Sequence, residues 1–508
     1  MSPDQAVATP VPEASTVDQE LPMSPRMTID GAGVAGTRTF PVHDPATGEV
    51  VAQAPNCTDE EMERAIEAAR RAFETSWSRD SDLRASALRA CAEVLRANVD
   101  ELAPLLTREQ GKPIAEARRE IGVAADRFEY FAGLSLSEQI IEDDDRALVR
   151  VVRKPLGVNV MLTPWNSPLS VAGNKIAPAL SAGNTAVLKP SPDTPLTTLR
   201  LGELLAPVLP PGTLNVVSGL EPLGANLCGH PVPRRISVTG SIGTGQAVLR
   251  TAAADLKRVT AELGGNDAAI VLPDADPETI VDGIFRAAFA NSGQICVAIK
   301  RLYVHSSIKD RLVELLLERI AQVRLGPGLD ESTTMGPLAT AAQRDWVETL
   351  VAEAAAQGAT VLTGGRRVDG PGNFYEPTLV VDVDASMRLV AEEQFGPALP
   401  VLAFDDVEHV LSEVNGGIHG LGGSVWSSDP EQALAVAERL EAGTVWINGH
   451  RILAAHQPMG AVKSSGVGVH GGELGLWDCT ETRLIWQGRA ASSAAFPPGL
   501  VAAPSVTS

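Results

Sequence analysis

The sequence predicts an α/β fold built from two α/β domains. With 508 residues the chain exceeds the size at which one hydrophobic core keeps growing, so more than one domain is required. Between Gly157 and Leu263 short apolar runs alternate with helical segments, as βαβ units and a parallel sheet demand. The same alternation restarts after Leu263, which predicts the second domain.

Taken in order, residues 1–36 are rich in Pro, Ala, Ser and Thr and read as a disordered extension. Asp4, Glu13, Asp18 and Glu20 precede Arg26, the first arginine, and argue against a transit peptide. The ordered part opens on helices: Thr58 and Glu61 make a capping-box pair, with Met62, Ile66, Ala69 and Phe73 on one helical face. Strands follow at 158–162, 185–188, 214–217, 236–239 and 259–263, with helices at 168–180, 195–208, 222–228 and 243–254 between them. Ligand is expected beyond the C-terminal ends of such strands, where Lys189 and Gly240 fall. The second series has strands at 268–272 and 301–305, a helix around 283–290, and a helix at 308–324 stopped by Gly326. Segments 146–153 and 480–487 alternate apolar and polar residues and read as strands, and residues 490–508 read as a disordered tail.

Composition excludes several classes of function. Lys plus Arg total 42 against 63 Asp plus Glu, and a net charge of -21 opposes binding to nucleic acid or anionic lipid. No apolar run approaches the roughly 18 residues needed to span a bilayer. Cys57, Cys91, Cys228, Cys296 and Cys479 are scattered without C-x-x-C spacing, so neither a disulfide framework nor a metal site is indicated. A cytoplasmic location is expected.

Two stretches carry reactive groups on tightly turned backbone. Asn291-Ser292-Gly293-Gln294-Ile295-Cys296 offers a thiol nucleophile, and Glu262-Leu263-Gly264-Gly265-Asn266 offers a carboxylate base. Gly240-Ser241-Ile242-Gly243-Thr244-Gly245 follows a strand and opens a helix, an arrangement that suits a pyrophosphate although its spacing is not G-x-G-x-x-G. Together with Pro164-Trp165-Asn166, Lys189-Pro190-Ser191 and Glu393-Gln394-Phe395-Gly396-Pro397, these stretches resemble the aldehyde dehydrogenase superfamily, in the family's order. The resemblance runs from about Thr39 to about Gln487.

The resemblance implies a Rossmann-like cofactor-binding domain at 37–141 and 158–262, a catalytic domain at 263–455, and a small β oligomerisation element at 142–157 and 478–489. That element would pair subunits into a homodimer or homotetramer. It implies that Asn166 completes an oxyanion hole with the Cys296 amide, and that Trp165, Gly240, Ser241, Gly245 and Leu263 contact the cofactor. Lys189 would meet the adenosine ribose, Glu393 the nicotinamide ribose, and Phe395 the nicotinamide. The expected function is oxidation of a small-molecule aldehyde with NAD(P)+ through a Cys296 thioester that Glu262-activated water hydrolyses. Glu262 disfavours acyl transfer to coenzyme A, which does not need that base. The rivals are a semialdehyde dehydrogenase for a carboxylate- or phosphonate-bearing aldehyde, and a catalytically silent binding protein of the same fold.

Departures from the family bear on specificity. Pro192 stands where NAD-preferring relatives often carry Glu, but Asp193 is adjacent and no second Lys or Arg lies between Lys189 and Thr198, so NAD is expected over NADP. Ser167 stands where Phe is common and Met459 where an aromatic residue is common, which predicts a wider or more polar substrate tunnel. His450, Arg451 and His456 are candidates to receive an anionic group.

Overall fold

The computed structural model describes residues 24–489. One eight-stranded sheet runs in the order Ala32–Val34, Met27–Ile29, Leu214–Val216, Thr185–Lys189, Val158–Leu162, Arg235–Thr239, Arg258–Glu262, Gly466–Val467. The five strands from Leu214–Val216 to Arg258–Glu262 are parallel. Most of their residues are buried, because helices cover both faces of a parallel sheet. Helices Pro168–Ser181, Leu196–Leu205, Leu223–Gly229 and Ile242–Ala253 make the crossovers close to their expected bounds. Strand order reverses between Val158–Leu162 and Arg235–Thr239, and such a switch point opens a crevice at the strands' C-terminal ends.

The capping box forms as expected at the start of Asp59–Glu74: Glu61 N donates to Thr58 Oγ1 at 3.2 Å and Thr58 N to Glu61 Oε2 at 2.9 Å. Met62, Ile66 and Ala69 on that helix are buried.

Part of the extension expected over residues 1–36 is ordered. Met27–Ile29 pairs with Ala32–Val34 and with Leu214–Val216, and Met27 and Ile29 are fully buried. Two apolar side chains on a three-residue strand suffice to hold this hairpin at the sheet's edge, too short a signal to stand out from its Pro- and Ala-rich surroundings. Residues 1–23 of that extension and the expected tail at 490–508 lie outside the described residues.

A second, seven-stranded sheet runs Thr360–Thr363, Thr378–Val381, Ala398–Phe404, Ile299–His305, Asp267–Val271, Gly422–Trp426, Thr444–Ile447, parallel except at the Thr360–Thr363 edge. Apolar clusters cover both of its faces. The helix expected to reach Gly326 is Ser306–Ile320; it ends early because Leu325 bridges Met335 and Gly326 N donates to Met335 O. Past residue 455 the chain returns to the first sheet, where Gly466–Val467 pairs antiparallel with Ala261 and Glu262.

The two alternating segments pair with each other. Thr480–Gly488 lies antiparallel to Ala147–Pro155, and Gln139–Asp143 completes a three-stranded sheet. No helix among the described residues is long and apolar enough to cross a membrane.

Candidate active site

Leu263–Asn266 connects the two sheets, leaving the C-terminal end of Arg258–Glu262 and entering Asp267–Val271. A Cβ on Gly265 would stand 2.6 Å from the carbonyl oxygen of Cys296, so glycine lets the two motif stretches touch. The turn that presents Cys296 is itself unusual. Asn291, Ser292 and Gly293 take φ of 50°, 56° and 73° in succession. A Cβ on Gly293 would lie 2.2 Å from the Gly396 carbonyl oxygen. Left-handed backbone at a non-glycine residue costs about 1–3 kcal/mol, and here hydrogen bonds offset it. Asn291 N donates to Glu116 Oε2 at 3.0 Å, Ser292 Oγ to Gly336 O at 2.8 Å, and Gln294 Oε1 accepts from Ala339 N at 2.9 Å.

A cleft of about 810 Å³ runs between the sheets. Trp165, Asn166, Ser167, Lys189, Gly240, Ser241, Leu263, Cys296, Glu393, Phe395, Arg451 and Met459 all line it. Gly245 and Glu262 do not. A Cβ on Gly245 would fall 2.4 Å from Leu263 Cδ1, so this glycine lets helix Ile242–Ala253 pack behind the cleft wall.

Asn166 is fixed by its surroundings. Its Nδ2 donates to Gln294 O at 2.8 Å, leaving the second amide hydrogen available, and its carbonyl accepts from Lys112 Nζ at 2.9 Å and Asn291 Nδ2 at 3.0 Å. Lys112 is paired with Glu120, whose Oε1 accepts from Leu169 N at 2.9 Å.

Glu262 is buried next to the cleft with both carboxyl oxygens free of hydrogen bonds. His470 Nδ1 is 3.9 Å from Oε1, while Lys175 Nζ donates to Ser237 Oγ at 3.0 Å and that hydroxyl stands 3.2 Å from His470 Nε2. Burial pushes Glu262 up to about 8, with Lys175 opposing and Asp478 adding to the rise. Burial likewise pushes Lys175 down to about 7 and His470 well below its ordinary value. This pocket therefore favours uncharged forms near neutrality. Sequence reading missed Lys175 and His470; a lysine inside the apolar run of 168–180 was the available signal for the first.

Burial pushes the Cys296 thiol up to about 12, with Lys300 opposing and Glu393, Glu262 and Asp267 reinforcing. Lys300 was also missed. Its Nζ donates to Ile295 O at 2.8 Å and Glu393 Oε1 at 3.1 Å, and stands 5.0 Å from the Phe395 ring centroid. Phe395 meets Trp165 edge to face at 5.3 Å.

The cleft fits a dinucleotide. Glu393 Oε1 also accepts from Gly265 N at 3.2 Å, while a Cβ on Gly264 would come within 2.5 Å of Oε2, so glycine keeps space open beside that oxygen. Ser241 Oγ caps helix Ile242–Ala253 by accepting from Thr244 N at 3.2 Å; other first-turn N–H groups are left by helix geometry to face an anion. Asp193, invoked above for NAD preference, turns away: its Oδ2 accepts from Ser191 Oγ at 3.2 Å and it does not line the cleft.

Of the three candidate anion receivers only Arg451 lines the cleft, with φ of 58°. His450 points inward, its Nε2 donating to Val297 O at 3.0 Å and its Nδ1 lying 2.9 Å from Ser424 Oγ. His456 lies against Tyr130, away from the cleft.

Comparison with known proteins places this geometry in context. The model of the aldehyde dehydrogenase family matches residues 34–485. The chain is 38% identical to the probable succinate-semialdehyde dehydrogenase (NADP(+)) of Sinorhizobium fredii, covering 90% of this chain and 94% of the relative. It is 38% identical to the betaine aldehyde dehydrogenase of Bacillus subtilis, covering 92% and 98%. The NAD+ complex of an aldehyde dehydrogenase from Bacillus cereus superposes with a TM-score of 0.90 at 34% identity, covering 94% of this chain and 100% of that chain. With the motif residues, the two sheets and these matches in agreement, the chain belongs to the aldehyde dehydrogenase family.

Proposed function

We propose that this chain oxidises an aldehyde to a carboxylic acid with NAD(P)+ through a covalent intermediate on Cys296. The observation that supports the proposal is the packing of Gly265 on the Cys296 carbonyl, which joins the turn bearing the thiol to the segment leaving the strand that bears Glu262. The dinucleotide would be held by Lys189, Glu393 and the start of helix Ile242–Ala253, and when bound supplies the hydride acceptor. Cys296 Sγ, once deprotonated, attacks the aldehyde carbon. The free amide hydrogen of Asn166 and the N–H of Cys296 hold the resulting oxyanion, each such donor being worth on the order of 3 kcal/mol. Loss of hydride leaves a thioester. Glu262, deprotonated and turned from His470 into the adjacent cleft, takes a proton from the water that hydrolyses it. In the test, reduced cofactor is followed at 340 nm across an aldehyde panel: turnover is expected from the parent chain and none from Cys296→Ala. Silence with every aldehyde and both cofactors would instead support the binding-protein reading.

The substrate we infer is an aldehyde bearing an anionic group. Relatives of equal identity do not decide this, since a succinate semialdehyde carries a carboxylate and betaine aldehyde a quaternary ammonium. The cleft away from Lys189 does favour an anion. Arg119 and Arg451 line it without a hydrogen bond or ion pair among the described residues, while Glu116 there is engaged by Asn291 N. Arg451→Ala should raise KM for succinate semialdehyde about tenfold, equivalent to roughly 1.4 kcal/mol, and leave KM for butanal unchanged. Equal KM changes for both aldehydes would remove the anionic-substrate reading. For the cofactor we infer NAD over NADP, because Lys189 shares its part of the cleft with the carboxylate of Glu221, which a 2′-phosphate would meet as a like charge.

A further inference from the structure

Lys189 ends the strand Thr185–Lys189, and the neighbouring parallel strand Leu214–Val216 continues into a loop that carries Glu221. Val217 N donates to Leu188 O at 2.9 Å, so the two strand ends are locked side by side. The loop is also held from behind. Cys57 N donates to Ser218 O at 2.9 Å, Ser218 Oγ to Pro55 O at 2.6 Å, and Leu220 N to Asn56 Oδ1 at 3.2 Å. Glu221 thus projects from an anchored segment into the same end of the cleft as Lys189 and Pro192.

Its carboxylate is unengaged. Glu221 makes no hydrogen bond or ion pair with any described residue, and its Oε1 stands 3.2 Å from where a Cβ on Gly224 would be. Glu221 is the leading charge that counteracts the lowering of Lys189 by burial, which places the two groups in one electrostatic neighbourhood. Nearby Lys257 is committed to Asp255. One ammonium and one free carboxylate offer a vicinal diol both a donor and an acceptor, whereas a phosphate would meet a like charge with a single counter-ion.

We propose that Glu221 selects the cofactor: its carboxylate accepts from the adenosine ribose 2′-hydroxyl and repels a 2′-phosphate, a task that neither Pro192 nor the turned-away Asp193 performs. The inference rests on the dinucleotide reading of the cleft but not on turnover of an aldehyde. It is therefore tested by calorimetric binding of 5′-AMP and adenosine 2′,5′-bisphosphate, and of NAD+ and NADP+, to the full chain. The parent chain should bind the 2′-hydroxyl ligand of each pair at least tenfold more tightly. Glu221→Ala and Glu221→Gln should shift both ratios toward the phosphate by tenfold or more, and Glu221→Asp should retain most of the preference. Ratios that move less than threefold in Glu221→Ala, or a parent chain that prefers the 2′-phosphate ligands, would overturn the assignment. Normal binding ratios without aldehyde oxidation would contradict the proposed reaction and leave this assignment standing.

Discussion

Burial sets the charge of Glu262, and from that charge two effects of opposite sign follow. An exposed carboxyl of this type titrates near 4.5, whereas burial raises Glu262 to about 8. Between these values the folded chain binds more protons than the unfolded one, so this group's contribution to stability is full below about 4.5 and is lost as pH rises through about 8. Glu262→Gln should therefore raise Tm relative to the parent chain at pH 9 and leave it unchanged at pH 4.5, as differential scanning calorimetry would show. Hydrolysis needs the ionised carboxylate, so its rate should rise with pH through about 8. Glu262→Gln should lower kcat by about 10²- to 10⁴-fold and abolish that rise. Asn166→Ala should cost about 10²- to 10³-fold in kcat. The identities of Cys296, Glu262 and Asn166 were legible as motifs. The charge states of Cys296 and Glu262 were not, because burial in the folded chain sets them and Lys175 and His470 come to Glu262 from distant parts of the chain.

At the scale of elements, the turn Asn291–Gly293 is the most demanding segment. Three successive left-handed residues need a glycine at the tightest approach, where Gly293 meets the Gly396 carbonyl. Gly293→Ala should displace the turn, lowering kcat/KM by 100-fold or more while shifting Tm by only a few degrees; unaltered activity would show that the turn does not set the position of the thiol. The parallel strands of the first sheet were legible because buried strands read as short apolar runs between helices. The Met27–Ile29 hairpin was not, since three residues carry no periodicity, and neither was the early end of Ser306–Ile320, which a bridge from Leu325 to Met335 dictates. His450 was misread for a related reason: a loop histidine gives no sign in sequence that Ser424 and Val297 will enclose it.

Across the whole molecule, the C-terminal ends of one parallel sheet face the strand entering the other, and Leu263–Asn266 carries the chain between them. The rule that clefts open beyond strand C-termini anticipated that Lys189 and Gly240 would line this one. It did not anticipate Cys296, which precedes its strand, Ile299–His305. The three-stranded sheet leaves Ile140 and Ile141 exposed on one edge strand and Leu484 and Trp486 exposed on the opposite one, and we infer that the edge bearing Leu484 and Trp486 pairs with a second copy of this chain. Trp486→Glu combined with Leu484→Glu should shift sedimentation from an oligomer to a monomer. A parent chain that sediments as a monomer would contradict that pairing.

Covalent catalysis by Cys296, completed by Glu262, is the central claim about the reaction. Its most direct test is mass spectrometry of Glu262→Gln after acid quench of a mixture with aldehyde and oxidised cofactor. The expected spectrum shows one acyl group on the peptide containing Cys296, accumulating with a burst of reduced cofactor and absent when Cys296 is also replaced by Ala. A burst of reduced cofactor with no acyl group on Cys296, or with the acyl group on another residue, would contradict it.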